Sequence, residues 1–167
     1  INTAYVRGQV YFERDILAPQ LERLNVQAFR YDGYVARISS MKSYFNENMK
    51  MLDDVNVDAL FSAGNPIYTK IRDDNPARYI NGSKVSNIMA ADGCIIEGEV
   101  ENSILFRGVK VGKGAWVKNC VLMQDTVIEA DAGVEYVVTD KNATITRGKI
   151  IKGTVTFPVY VAKYQIV

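Results

Sequence analysis

The chain has 167 residues, of which 48% are hydrophobic, so it is long enough for one ordinary domain or two small ones. Its 20 basic and 19 acidic side chains nearly balance and form no block of like charge, which argues against a nucleic-acid partner. The complete absence of histidine excludes Ser-His and Cys-His nucleophile pairs, histidine acid/base catalysis and most zinc sites.

The chain begins with Ile1 rather than Met, and it has no apolar run long enough to cross a membrane. We therefore expect a soluble piece of a longer protein, with no targeting segment and no membrane partner. Two cysteines are too few for the disulfide framework of a small secreted domain, so the reducing cytoplasm is the expected location.

The first third of the chain does not repeat, and its pattern predicts a small α/β piece. Residues 11–24 favour a helical segment that is interrupted at Pro19. Two short strands are predicted next, at residues 26–31 and 33–38.

Residues 40–52 predict an amphipathic helix. Its core-facing positions follow the i, i+3, i+4, i+7, i+8 spacing of one helical face, broken only by a polar Asn: Met41, Tyr44, Phe45, Asn48, Met49 and Leu52. Ser39 or Ser40 is the expected N-cap. Residues 1–52 offer too little surface to close a core of their own. Residues 53–84, which contain Asn-Pro and Asn-Gly turn signals, connect them to the rest of the chain.

Residues 85–167 carry an internal repeat, because the segments that start at Val100, Val117 and Val134 lie 17 residues apart. Extending this period gives three aliphatic columns: Cys94, Val111, Ile128 and Ile145; Val100, Val117, Val134 and Ile151; and Ile104, Val121, Val138 and Val155. Small residues form another column: Gly98, Ala115 and Ala132. Such columns, about six positions apart, predict a triangular parallel β-solenoid with one inward residue after each corner.

The columns also bear on three residues with reactive or aromatic side chains. Cys94 shares an aliphatic column, so we expect a buried small side chain rather than a reactive thiol, whereas the column of Cys120 is less informative. Trp116 occupies a column without a core requirement and is a candidate interface residue, together with Ile150. The alternative for Trp116 is local packing.

Three segments together resemble a known family. The helix SYFNENM, the connection NPIYTKIRDDNPARY and the solenoid segment SNIMAADGCIIEGEVENSILFRGVKVGKGA are similar to bacterial glucose-1-phosphate adenylyltransferase, the ADP-glucose pyrophosphorylase of glycogen synthesis. The resemblance implies a mostly β fold, with a left-handed parallel β-helix of hexapeptide repeats at residues 85–167. It also implies that residues 1–52 are the C-terminal remnant of an α/β nucleotidyltransferase domain. It covers nearly all of the chain but only the C-terminal part of a family protein, without the Gly-rich nucleotide-binding loop.

The turn GYVARISS, residues 33–40, departs from the family pattern. Catalytic members have G-Y-W-x-D-[IV]-G-T there, and the resemblance makes that Asp a ligand of the catalytic Mg²⁺. Arg37 stands at the Asp position, Val35 replaces Trp, and Ser-Ser replaces Gly-Thr. Because arginine offers neither an oxygen ligand nor a negative charge, we predict a lost metal site. The alternative is that Asp32, which precedes the matching Gly-Tyr, supplies the ligand.

This combination resembles the regulatory, non-catalytic subunit of two-subunit ADP-glucose pyrophosphorylases. The resemblance implies a homo- or hetero-oligomer with a catalytic subunit of the same family, and Mg²⁺ is expected in that active partner. For this chain it implies no cofactor, and a chain without the nucleotide-binding loop is expected to be inactive alone.

Related enzymes bind anionic effectors, such as sugar phosphates or inorganic phosphate, partly through lysines. The segment TDKNATI resembles one such site and makes Lys141 a candidate, and Lys163 in VAKYQIV is a second candidate by its position. Lysines suit phosphate as mobile point charges, although both side chains can equally be ordinary solvated lysines.

Two alternative functions stay open. One is an active sugar-nucleotide pyrophosphorylase subunit whose metal is held differently, and the other is a plain β-helix assembly module whose solenoid only provides contact surfaces. Hexapeptide acyltransferases that act through a histidine base are excluded, because the chain has no histidine.

Overall fold

The structure is a computed structural model that describes residues 2–61, 64, 66–68 and 73–167. It divides into two compact units, Ile1–Gly33 and Tyr34–Val167. The helical elements of the first unit are α1 (Asn2–Val6), a π-helix (Phe12–Leu17) and a 3₁₀-helix (Ala18–Gln20). The predicted helical segment at residues 11–24 is therefore shorter than expected, and Pro19 lies in the first turn of the 3₁₀-helix, where its missing N–H costs nothing.

The two strands predicted at residues 26–31 and 33–38 are wrong. The structure has no regular element between residues 25 and 39. Alternating residues form a strand only where a neighbouring strand takes up the backbone hydrogen bonds, and an isolated pair of strands is marginal in water. No strand in the described part of the chain pairs with this segment.

Helix α2 (Met41–Met49) begins as the sequence predicts. The Ser40 hydroxyl accepts a hydrogen bond from the Ser43 amide at 3.1 Å, and the Ser43 hydroxyl accepts one from the Ser40 amide at 2.9 Å. This reciprocal cap satisfies two backbone donors that a helix start leaves without partners. The last predicted turn tightens into a 3₁₀-helix (Lys50–Leu52), and α3 (Asp54–Leu60) follows.

The rest of the second unit is the predicted parallel β-solenoid. Its strands in chain order are β1 (Arg78–Tyr79), β2 (Lys84–Ala90), β3 (Ile95–Ile96), β4 (Glu99–Leu105), β5 (Lys110–Val111), β6 (Trp116–Lys118), β7 (Val121–Leu122), β8 (Val127–Ile128), β9 (Gly133–Glu135), β10 (Val137–Thr139), β11 (Thr144–Ile145), β12 (Ile150–Lys152) and β13 (Val159–Val161). All pairings between these strands are parallel.

The strands form three faces. The first face contains β1, β3, β5, β8 and β11. The second contains the beginnings of β2 and β4 with β6, β9 and β12, and the third contains the ends of β2 and β4 with β7, β10 and β13. The long strands β2 and β4 therefore bend around one corner, from the second face to the third.

The register of the second face confirms the period of 17. Val100 pairs with Val117, Val117 with Val134, and Val134 with Ile151. The first three of these side chains are at most 1% exposed, and they lie in one continuous apolar core inside the coil. A single coil cannot bury its own inward residues, so their burial depends on the stacking of neighbouring coils.

Cys94 does not lie in the predicted column. Ile96 pairs with Val111 instead, because the corner between β3 and β4 is two residues shorter than the corners that follow it. This tight corner requires glycine, since a Cβ atom on Gly98 would lie 2.2 Å from the carbonyl oxygen of Ala115. A constant period thus misplaces the first column by two residues at one coil.

The two cysteines are nevertheless buried and not reactive. Cys94 and Cys120 are both free and fully enclosed, which confirms the expectation for Cys94. Burial raises the pKa of the Cys120 thiol to about 12 and also raises the pKa of Cys94.

The predicted column that starts at Ile104 is wrong in its direction. Val121 and Val138 face outward from the third face and pack against Phe45 of α2, in a cluster separate from the interior of the coil. The neighbours of Val121, Cys120 and Leu122, are the side chains that point inward. The column is buried because a helix covers it from outside.

The same column also ends differently from the prediction. Tyr160, rather than Val155, pairs with Val138, because the last coil contains five extra residues between β12 and β13. Val155 lies in that insertion and is 55% exposed. Thr154 and Phe157 form a bridge within the insertion, which lets the chain rejoin the coil at β13.

The three corners are fixed by residues in the left-handed backbone conformation. These residues recur at intervals of 17: Gly108, Asp125 and Asn142; Gly114, Asp131 and Gly148; Asn102, Asn119 and Tyr136. Glycine, Asn and Asp accept positive φ at little cost, whereas Tyr does not. Tyr136, at φ 52°, is held there with its ring 6.3 Å from the ring of Phe45, in an edge-to-face contact.

Within the described ranges, none of the helices combines the length and the apolar character that spanning a bilayer requires.

Candidate functional site

The Gly-Tyr turn is attached to helix α2 through the Tyr34 side chain. The Tyr34 hydroxyl donates a hydrogen bond to Glu47 Oε2 at 2.9 Å, and Lys50 Nζ lies 2.7 Å from Glu47 Oε1. Partial burial, and then the hydrogen bond to Glu47, raise the pKa of Tyr34, while Lys50 and then Tyr34 lower the pKa of Glu47. Glu47 is therefore ionised, and it anchors the turn to α2 through the Tyr34 hydroxyl.

Arg37 does not line the shallow depression over α2 that is formed in part by Tyr34, Ala36 and Ile38. Its side chain is exposed. In the described part of the chain the Arg37 guanidinium has no hydrogen bond or ion pair. Asp32, the alternative ligand, is exposed and is paired with Arg30 at 2.8 Å.

The residues of this turn do not fit a magnesium ion. Mg²⁺ requires hard, negative oxygen ligands, and residues 33–40 include no carboxylate. Within the described ranges, no group of three Asp, Glu or Cys side chains is placed to hold a metal ion. The chemistry of this turn is therefore that of an exposed cation.

The structure brings Lys141 and Lys163 to one corner of the coil, although they are 22 residues apart in sequence. The Tyr164 amide donates to the Lys141 carbonyl at 3.1 Å, so the two lysines belong to adjacent turns of the chain. Both side chains are exposed, and Lys163 Nζ lies 4.8 Å from the centre of the Tyr164 ring. This corner, residues 140, 141, 160 and 163, is called the lysine corner below.

Asp140 lies at the centre of the lysine corner. Its carboxylate accepts hydrogen bonds from the Lys141 amide at 2.6 Å and from the Tyr160 hydroxyl at 3.0 Å. The Lys141 amide, then the Tyr160 hydroxyl, and then the charges of Lys163 and Lys141 lower the pKa of Asp140. The same hydrogen bond raises the pKa of Tyr160. The corner therefore holds a fixed carboxylate whose negative charge interacts with both lysines.

Sequence reasoning did not identify Asp140 or Tyr160 as parts of this corner. Asp140 directly precedes Lys141 in the segment DKN, so its position in the sequence could have indicated that it belongs to the corner. Tyr160 was hidden, because the five-residue insertion moves it out of the 17-residue period. Burial, and then the negative charge of Asp140, raise the pKa of Tyr44 on helix α2.

Trp116 lies on the second face and is partly buried. Its ring covers Gly133 of the next coil, where an added Cβ atom would come within 2.2 Å of ring atoms, and Lys152 Nζ lies 5.1 Å from the ring centre. Ile150, in register one coil further, is 58% exposed. The Trp116 ring therefore packs locally on Gly133 and also has Ile150 as an exposed apolar neighbour. A role of Trp116 in an interface stays a prediction.

Comparison with known families agrees with this architecture. The profile described as "GlmU-like, C-terminal hexapeptide" matches residues 71–154, which is half of the chain. The chain belongs to this GlmU-like C-terminal hexapeptide family.

Two proteins named for glycogen biosynthesis and one glucose-1-phosphate adenylyltransferase are similar to between 42% and 84% of the chain. The chain is 40% identical over 140 residues to "Glycogen biosynthesis protein GlgD" of Bacillus subtilis (strain 168). This match covers 84% of this chain and 41% of that protein. The chain is 50% identical over 70 residues to the GlgD protein of Geobacillus stearothermophilus, which covers 42% of this chain and 20% of that protein. Glucose-1-phosphate adenylyltransferase of Geobacillus stearothermophilus is 36% identical over 121 residues, 71% of this chain and 31% of that protein.

These matches confirm the resemblance to the glucose-1-phosphate adenylyltransferase group. The chain spans less than half the length of each of these relatives, and it corresponds to part of such a protein.

Proposed function

We propose that this chain is the C-terminal part of a regulatory subunit of glucose-1-phosphate adenylyltransferase in cytoplasmic glycogen biosynthesis. The subunit assembles with an active subunit of the same family, which carries the catalytic Mg²⁺, and it tunes that subunit through an anionic effector. The observation that carries this proposal is Arg37, an exposed cation in a turn without a carboxylate. The similarity to proteins named for glycogen biosynthesis supports it.

One experiment separates this function from the two alternatives. The full-length protein is assayed for ADP-glucose formation from ATP and glucose 1-phosphate, alone and mixed with an active subunit, with and without inorganic phosphate. We expect no activity alone and a changed effector response in the mixture. Activity alone would favour a catalytic subunit, and a mixture with an unchanged effector response would favour a plain assembly module.

Arg37→Asp in the full-length protein is expected to strengthen Mg²⁺ binding in the presence of ATP by at least about tenfold, because it replaces a repelling cation with an oxygen ligand. Isothermal titration of Mg²⁺ into the parent and the variant measures the change. Binding is the direct readout, because activity also depends on residues upstream of this chain.

The matched control for this prediction is Lys42→Asp, which makes the same charge change at an exposed position of α2. An equal gain in that control would show a general electrostatic effect rather than a ligand. If a folded Arg37→Asp protein binds Mg²⁺ no better than the parent, the loss of the site is distributed over Val35, Ser39 and Ser40, and Arg37 alone does not explain it.

Asp140→Asn is expected to strengthen the binding of inorganic phosphate to the lysine corner by about fivefold, since it removes a negative charge that competes with the ligand. The amide oxygen can accept the hydrogen bond that the Lys141 amide now donates to Asp140 Oδ1, and the amide nitrogen can donate to the Tyr160 hydroxyl, which now donates to Oδ2. Phosphate titration followed by NMR shifts of the corner amides measures the affinity.

The control for this second prediction is Asp131→Asn, at a different corner, where Asp131 pairs with Arg147 at 3.0 Å. That change should leave phosphate binding unaltered, while Lys141→Ala should weaken it. If the amides of the corner do not shift with phosphate in any variant, the two lysines are ordinary solvated side chains.

A further inference from the structure

The second face of the solenoid carries a row of alternating charges. Glu101, Lys118, Glu135 and Lys152 occupy equivalent outward positions on successive coils. Lys118 Nζ lies 3.2 Å from Glu101 Oε2, and Lys152 Nζ lies 3.4 Å from Glu135 Oε2. Exposed pairs of this kind contribute little to folding stability. We call these four side chains the charge ladder.

The charge ladder of one copy is complementary to the ladder of a second copy whose coils run in the opposite order. A two-fold axis that runs parallel to the strands, between β6 and β9, places Glu101 opposite Lys152 of a second copy and Lys118 opposite its Glu135. If the coils of the two copies ran in the same order instead, Glu101 would face Glu101 of the second copy and Lys118 would face Lys118. Like charges at such close range are costly, so the ladder favours the end-for-end arrangement.

The second outward row of the same face places an aromatic ring at this axis. Trp116, Gly133 and Ile150 are in register, and the Trp116 ring lies over Gly133, across the gap between β6 and β9. Two copies related by the axis therefore bring their Trp116 rings together at the centre, where interfaces concentrate their binding energy. Ile150 falls opposite Glu99, whose carboxylate is already paired with Lys84 at 2.6 Å.

We propose that the second face binds a second copy of this chain end for end, through the charge ladder and Trp116. Five strands about 4.8 Å apart make a face roughly 20 Å wide, which suits a reversible, salt-sensitive dimer rather than an obligate one. This inference goes beyond the proposed function. Its test uses neither nucleotide nor effector, so its failure would leave that function unaffected.

Charge exchange between two variants tests the proposal. Lys118→Glu with Lys152→Glu makes the ladder wholly acidic, and Glu101→Lys with Glu135→Lys makes it wholly basic. Sedimentation velocity of the 167-residue chain at low salt should show a dimer for the parent. Each double variant alone should dimerise about a hundredfold more weakly, and an equimolar mixture of the two should recover the dimer. The fluorescence of Trp116, the one tryptophan of the chain, should shift to the blue on dimerisation.

The matched control is Lys42→Glu with Lys110→Glu, which makes the same charge change on α2 and on the first face and should leave the dimer intact. Circular dichroism checks the fold of every variant. If a double variant unfolds, the parent is measured at about 1 M salt, where screening should dissociate the dimer. A monomeric parent, a trimer, a dimer that ignores the charge reversals or salt, or a mixture that does not associate would each overturn the proposal.

Discussion

Val117→Asp is expected to prevent the chain from folding. Val117 is fully buried in the middle of the inward column of the second face, between Val100 and Val134 on the neighbouring coils. An unpaired carboxylate in this apolar interior costs several kcal/mol, which is comparable with the whole stability of a domain of this size. Circular dichroism should show loss of the β signal and no cooperative thermal transition.

Asn119→Asp is the matched control for Val117→Asp. It introduces the same carboxylate two residues further on, at a corner with φ 51°, which Asp tolerates. We expect it to change the free energy of unfolding by less than about 0.5 kcal/mol. A Val117→Asp protein that melts at the same temperature as this control would show that the column does not face the interior.

Phe45→Ala is expected to lower the free energy that is needed to detach and unfold α2 from the surface of the solenoid by about 3–5 kcal/mol. Phe45 is 3% exposed and covers Val121 and Val138, so its truncation opens an apolar cavity between helix and sheet. It also removes the ring contact that accompanies the positive φ of Tyr136. The interior of the coil is a separate cluster and should remain folded.

Hydrogen exchange measures this effect by region. The amides of residues 41–49 should lose protection in Phe45→Ala, while those of β6 and β9 should keep it. Asn46→Ala, at an exposed position of the same helix, should leave both regions protected. Equal loss of protection in α2 and in the coil would contradict the separation of the two clusters.

The sequence by itself determined the repeating part of the fold. A column such as Val100, Val117 and Val134 requires burial at every seventeenth residue, and only stacked coils supply it. The Ser40 cap is equally local, because it depends on two side chains within one helical turn. The lack of a carboxylate at Arg37 also needs no coordinates, since residue type alone excludes a metal ligand.

Small changes in chain length limited what the period could predict. The short corner before Glu99 moves Cys94 out of its predicted column, and the insertion before Val159 replaces Val155 by Tyr160. A solenoid tolerates such changes at corners and loops, because the strands on either side keep their hydrogen-bonded neighbours. A column therefore predicts its members only while the coil length stays constant.

Only the tertiary structure decided what covers the third face and what meets at the lysine corner. Val121 and Val138 show in sequence that they need burial, but hydrophobicity does not say whether the interior or Phe45 provides it. Lys141 and Lys163 come together because the last coil closes onto the one before it. Burial and charge are properties of single residues and can be recognised in a sequence. The partner that satisfies them is set by the path of the chain in space.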